Sequence, residues 1–198
     1  MTSEFGPADP SDTRGKSGTP GAPSPPPPRP EAWLRGPVAG VPPPLQPAAH
    51  ALLQATEDLE TLLAGLSTEE LWHGPGGAAS AGFHALHAAG ALDRLYTYAR
   101  DEPLSPGQRA ALAEERSPDP TIPVAELLAR FRRAVDAALA QLRATPESAL
   151  TAPRAVGRAQ LPSTVLGLLF HGAEHTARHA GQISTTVRVL RGLQRAGD

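Results

Sequence analysis

The sequence contains no cysteine in its 198 residues. Disulfides and thiolate metal sites are therefore excluded, and any metal has to be held by His, Asp or Glu. Aromatic residues are scarce, at 4%. A core without large rings, built mainly from alanine and leucine, favours closely packed helices over sheets. Charge of one sign is lacking too: 18 basic and 20 acidic side chains leave a net charge of -2. No basic block or arginine stripe is present to follow a phosphate backbone, so nucleic acid is not an expected partner. No apolar run reaches the roughly 18 residues needed to cross a bilayer, so a membrane is not expected either. The N-terminal MTSEFGPADPSD has no basic start and no hydrophobic run, which gives the expectation of a cytoplasmic protein without a secretory signal.

Proline, by contrast, is abundant and unevenly spread. Nine prolines, four glycines and four serines fall within residues 1–30. Too little apolar side chain remains there to form a core, so 1–30 reads as a disordered proline-rich tail. Residues 31–44 read as an extended lead-in, 45–193 as a helical bundle domain, and 194–198 as a flexible C-terminus.

Within the domain, apolar residues recur with helical period. Leu52, Leu59, Leu62, Leu63 and Leu66 predict a helix over about 47–66. A second runs from Ser80, a suitable N-cap, to Arg100. A third covers about 124–143, with Val124, Leu127, Leu128, Phe131, Val135, Leu139 and Leu142 on one side. The fourth is predicted over about 161–193. Short helical pieces are expected at 67–72 and 105–115, and a loop at 145–160. Four long helices with almost no strand-like alternation predict an all-α fold, a four-helix bundle.

The chemistry concentrates in HGAEHTARHAGQ, residues 171–182, which holds three of the seven histidines. Residues four apart on a helix stand nearly above one another. His175 and His179 therefore present adjacent imidazoles, which can close on one divalent ion. Two ligands are too few for a tight site. The other dense histidine segment is FHALH, with His84 and His87 on the second helix. His87 shares a stripe with Phe83 and Gly90, where the glycine reads as a point of close helix approach, so His87 is preferred and His84 is the alternative. His171 lies one turn before His175 and drifts away from His179. Glu174 is not a zincin-type base, because HTARH lacks the HExxH spacing; a salt bridge or a hydrogen bond to a ligand is its expected role. Three histidine ligands would leave a position for water or substrate, the layout of a catalytic site.

These two segments resemble the DinB-like superfamily of bacterial four-helix-bundle metalloproteins. SAGFHALHAAGALDRLYTYARDEPLS, 80–105, is similar to the second-helix signature, whose metal histidine follows the leading serine by seven residues; here that is His87. HTARHAGQ, 175–182, is similar to the fourth-helix signature, giving His175 and His179. The resemblance covers roughly 45–193. It implies a zinc or nickel ion on His87, His175 and His179, and a homodimer. Related proteins include S-transferases that use low-molecular-weight bacterial thiols and a mycothiol-dependent maleylpyruvate isomerase.

The resulting expectation is a metal-dependent enzyme that activates a low-molecular-weight thiol for transfer to an electrophilic small-molecule substrate. With no cysteine in the chain, the thiol belongs to a cosubstrate. The alternatives are a non-catalytic metal or small-molecule binding protein and a metal-dependent hydrolase. Arg94, Tyr96 and Tyr98 are further candidates, for a substrate carboxylate or a pocket wall.

Overall fold

The computed structural model describes residues 29–197. The proline-rich segment 1–30 therefore lies, apart from its last two residues, outside the described residues. Six α-helices are present among the described residues: α1 (Gln46–Leu63), α2 (Thr68–Trp72), α3 (Ala81–Ala99), α4 (Pro106–Glu114), α5 (Val124–Ala144) and α6 (Val165–Gly197). The four long ones, α1, α3, α5 and α6, form the expected bundle. Both α1 and α3 pack against both α5 and α6. That arrangement sets α3 beside α6, the two helices that carry the dense histidine segments.

Local chemistry fixes the helix ends. Ser80 accepts a hydrogen bond from the Phe83 amide at 3.1 Å and caps α3. Ser67 with Glu70 and Ser105 with Gln108 form capping boxes at the starts of α2 and α4, satisfying amides the helices leave free. The first helix stops at Leu63 instead of 66, because Ala64 turns extended and Gly65 takes φ +79°, a conformation glycine adopts without strain.

The core is aliphatic, as the composition implies. Phe131, Leu52, Leu59, Leu63, Leu92, Leu127, Leu142, Leu169, Ile183 and Val187 are fully buried in one cluster. Truncating Phe131 to alanine would cost about 3–5 kcal/mol. The short α2 lies on α3, with the Trp72 ring over Gly82. The Trp72 indole donates to the Ile122 carbonyl at 2.8 Å, which ties α2 to the segment entering α5.

One region departs from the helical expectation. Residues 145–164 are not a simple loop running into a helix at 161. Pro153–Val156 (β1) and Leu161–Thr164 (β2) form an antiparallel hairpin, with Arg154 opposite Ser163. The turn uses positive φ at Gly157 and Gln160. Thr164 then ends the strand and starts the helix, its hydroxyl accepting from the Gly167 amide at 3.0 Å.

Candidate metal centre

Helix α3 brings His87, and α6 brings His175 and His179, to one place. One nitrogen from each of the three lies within 4.8 Å of the others. The ring centroids are 5.2 Å apart for His87–His175, 4.8 Å for His87–His179 and 4.5 Å for His175–His179. The four-residue spacing on α6 sets the last distance, and the α3–α6 packing sets the other two. The cluster is capable of coordinating a metal ion.

Burial shapes its electrostatics. His179 is 8% exposed. Desolvation, reinforced by its histidine neighbours, lowers its pKa from 6.5 to about 4. His175 is lowered as well, first by burial and then by His87 and His171. Both rings are thus held neutral, the form that offers a lone pair. Nδ1 of His175 is buried and has no hydrogen-bond partner among the described residues.

The remaining histidines divide. His84 is buried, with Nδ1 3.1 Å from Nδ1 of His179. One of those two nitrogens must carry the proton and the other accept it, and burial lowers the pKa of His84. His84 stands behind His179, and the three-nitrogen group does not include it. His171 is half exposed and lies 3.3 Å from the Glu174 carboxylate. Glu174 also pairs with Arg178 one turn on, the salt-bridge role expected of it. A cavity of about 400 Å³ is lined in part by His84, Arg178, Gln182 and Thr185, but by none of the three clustered histidines. A larger, mostly apolar one of about 600 Å³ lies between α1 and α6, with Trp33, Pro47 and His50 on its wall. None of the three clustered histidines lines it.

Sequence reading missed one member of the site. Glu115, the residue closing α4, is 5% exposed. Its carboxylate accepts from Nδ1 of His87 at 2.8 Å and from both terminal nitrogens of Arg94, one at 3.1 Å. Burial pushes this carboxyl up, but the hydrogen bonds from His87 and Arg94 outweigh it and hold it below the usual carboxylate range. Gly90 is explained by the same residue, and its reading as a helix–helix contact is corrected: a Cβ there would stand 2.2 Å from Glu115 Oε1. Arg94 is consequently engaged inside the protein. Tyr96 is buried between α3 and α6, its hydroxyl donating to the Leu169 carbonyl at 3.2 Å. Tyr98 is partly buried against the core. The only sequence signal for Glu115 was a glycine at an unfavourable interior position of α3.

Among the described residues, no helix is long and apolar enough to cross a membrane. No curated protein matches the chain. The crystal structure of a conserved protein from Enterococcus faecalis is similar over 75% of this chain and 97% of that one, with 21% identity and a TM-score of 0.59. At that identity the likeness shows the fold alone. The family model of the DinB superfamily matches residues 51–183. That match spans well over half of the chain and includes all three clustered histidines, and the protein belongs to the DinB superfamily.

Proposed function

We propose that His87, His175 and His179 hold one divalent ion, zinc or nickel, and that the protein is an enzyme activating a low-molecular-weight thiol for transfer to an electrophilic small molecule. The observation that carries this reading is the convergence of three imidazole nitrogens within 4.8 Å. The residues fit such an ion on two further grounds. An all-imidazole donor set suits zinc or nickel and not magnesium, which prefers oxygen. Buried polar atoms are normally partnered, and Nδ1 of His175, which has no partner among the described residues, supports this reading.

Three protein ligands leave a coordination position open to a substrate. When bound, a divalent ion at such a site lowers the pKa of a thiol or water brought to it. The chain's own residues prepare the place. Phe83 stacks on His87, with centroids 5.7 Å apart and planes 3° off parallel, and so covers one face of that ring. His84 occupies Nδ1 of His179; with the shared proton on His179, Nε2 of His179 keeps the lone pair. The absence of cysteine from the sequence means that the thiol is a cosubstrate. A homodimer is part of the same proposal.

The test is metal analysis of the purified full-length protein, paired with conjugation assays across several low-molecular-weight bacterial thiols. One ion per chain and turnover with one of the thiols supports the reading. Loaded protein that cleaves esters or amides but conjugates no thiol would favour the hydrolase. Loaded protein with neither activity would favour a binding protein.

A further inference from the structure

We propose that Glu115 is a positioning residue for His87: held by Arg94 in the slot that Gly90 leaves on α3, it fixes the proton of His87 on Nδ1 and so presents Nε2 as the lone-pair nitrogen. The proposal rests on the three-histidine reading for its consequence, metal affinity, but not for its geometry.

A carboxylate at 5% exposure is costly to bury unless its oxygens are paired. Here both are. Arg94, itself only 9% exposed, spans the two oxygens, and His87 Nδ1 reaches Oε2 at 2.8 Å. An ion pair serving packing alone would be complete with Arg94. The third contact is what gives the pair a direction toward the histidine cluster.

Gly90 shows that room is kept for this carboxylate. His87, Gly90 and Arg94 follow one another along a single stripe of α3. Glycine inside a helix is about 1 kcal/mol worse than alanine. An alanine Cβ at 90 would stand 2.2 Å from Glu115 Oε1 and 2.8 Å from an Arg94 terminal nitrogen. The carboxylate therefore lies directly against the helix surface, at the level from which it reaches His87.

The chemical consequence follows from the hydrogen-bond inventory. An ionised carboxylate only accepts, so the nitrogen facing it must carry the proton. Neutral imidazole has one N–H and one lone pair, and fixing the first fixes the second. A ring free to exchange tautomers would present the ligating form only part of the time. Carboxylates that hold a metal histidine in this way typically raise metal affinity 10–100-fold.

The experiment uses the full-length protein with ¹⁵N-labelled histidine. Imidazole nitrogen resonances are recorded without metal at mildly alkaline pH, and zinc affinity is measured by competition with a chelator. Wild type is expected to show His87 with a protonated Nδ1 and an unprotonated Nε2. In R94M/E115L the ion pair is replaced by apolar groups, which leaves no unpaired charge. His87 should then populate both tautomers, and zinc affinity should fall about 10–100-fold at unchanged helicity. Gly90→Ala retains both charges but displaces the carboxylate, and should give the same loss of the single tautomer; it decides the matter if the double variant does not fold. A wild-type His87 protonated on Nε2, or a folded variant that keeps the tautomer and the affinity, overturns the proposal. If wild type binds no zinc, the three-histidine reading fails, and the metal-free spectra still decide what Glu115 does to His87.

Discussion

Gly172 and Gly181 lie within one helix near the histidine pair, and alanine at the two positions should act in opposite senses. Gly181 is exposed, and nothing stands within 4 Å of an added Cβ. Alanine there gains helix propensity alone, about 0.8–1 kcal/mol. At Gly172 the same Cβ would lie 2.8 Å from Cε2 of Tyr96 and 3.3 Å from Cδ1 of Leu92. Tyr96 is 2% exposed, and its hydroxyl is tied to the Leu169 carbonyl at 3.2 Å. The ring cannot retreat without straining a bond worth roughly 1 kcal/mol. Overpacking of this kind costs about 1–3 kcal/mol, which more than offsets the propensity gain. Gly172→Ala should therefore be destabilised by up to about 2 kcal/mol and Gly181→Ala stabilised by nearly 1 kcal/mol. Urea unfolding of the metal-free protein, followed by far-UV circular dichroism, reads both as midpoint shifts at constant slope. Because Tyr96 and Gly172 meet where α3 packs on α6, Gly172→Ala should also weaken zinc binding while Gly181→Ala leaves it unchanged. Midpoint shifts of the same sign in the two variants would refute the contact argument.

Other expectations are separable from this one. His87→Ala, His175→Ala and His179→Ala should each lose most bound metal, since two imidazoles do not fill a tetrahedral shell; His171→Ala should keep it, and His84→Ala should keep the stoichiometry at reduced affinity because it leaves His179 Nδ1 without a partner. Metal analysis after equilibrium dialysis checks all five. Zinc affinity should fall in acid, as protonated imidazole does not coordinate, with His179 itself lost as a ligand only as the pH approaches about 4. In the metal-free protein, His179 has a folded pKa of about 4 against 6.5, so the unfolded chain takes up that proton first. Its contribution is intact above about pH 6.5 and is lost as the pH falls toward 4, on the order of 2–3 kcal/mol. Urea unfolding at about pH 7.5 and about pH 4.5 should show that loss in wild type and much less of it in His179→Gln. Sedimentation equilibrium should give a dimer mass, and a single-chain mass across a broad concentration range would reject the homodimer.

The bundle was legible because its signals are local and periodic. Leucine spacing marked α1 and α5, and Ser80 marked the start of α3, where it does cap the first turn. The histidine pair on α6 was legible for the same reason, as spacing along one helix sets the distance directly. Placing His87 with that pair took more, since it depends on α3 and α6 being neighbours. The hairpin at 153–164 was not legible. Its strands are four residues each, too short to show alternation, and the pairing depends on a turn at Gly157–Gln160. Nor was Glu115. It stands 28 residues from His87 on a connector, where no periodic pattern distinguishes a buried carboxylate from a solvated one.

The interior glycines show what sequence can and cannot say about such contacts. Gly82, Gly90 and Gly172 each sit in a long helix, and each invites the reading that another helix comes close. In all three the nearest atoms belong to a side chain: the Trp72 ring at Gly82, the Glu115 carboxylate at Gly90 and the Tyr96 ring at Gly172. Helix backbones in this bundle are therefore not drawn together by glycine; large or charged side chains are admitted against the helix surface. The sequence marks where a slot exists. What fills it decides its meaning, because a ring in the slot can only pack, whereas a carboxylate that also reaches an imidazole nitrogen can set where that imidazole's proton sits. Gly90 is the one slot of the three filled by a carboxylate. It is also on the stripe that carries His87, so the same glycine that weakens α3 locally is what lets Glu115 reach His87, the histidine α3 brings to the cluster.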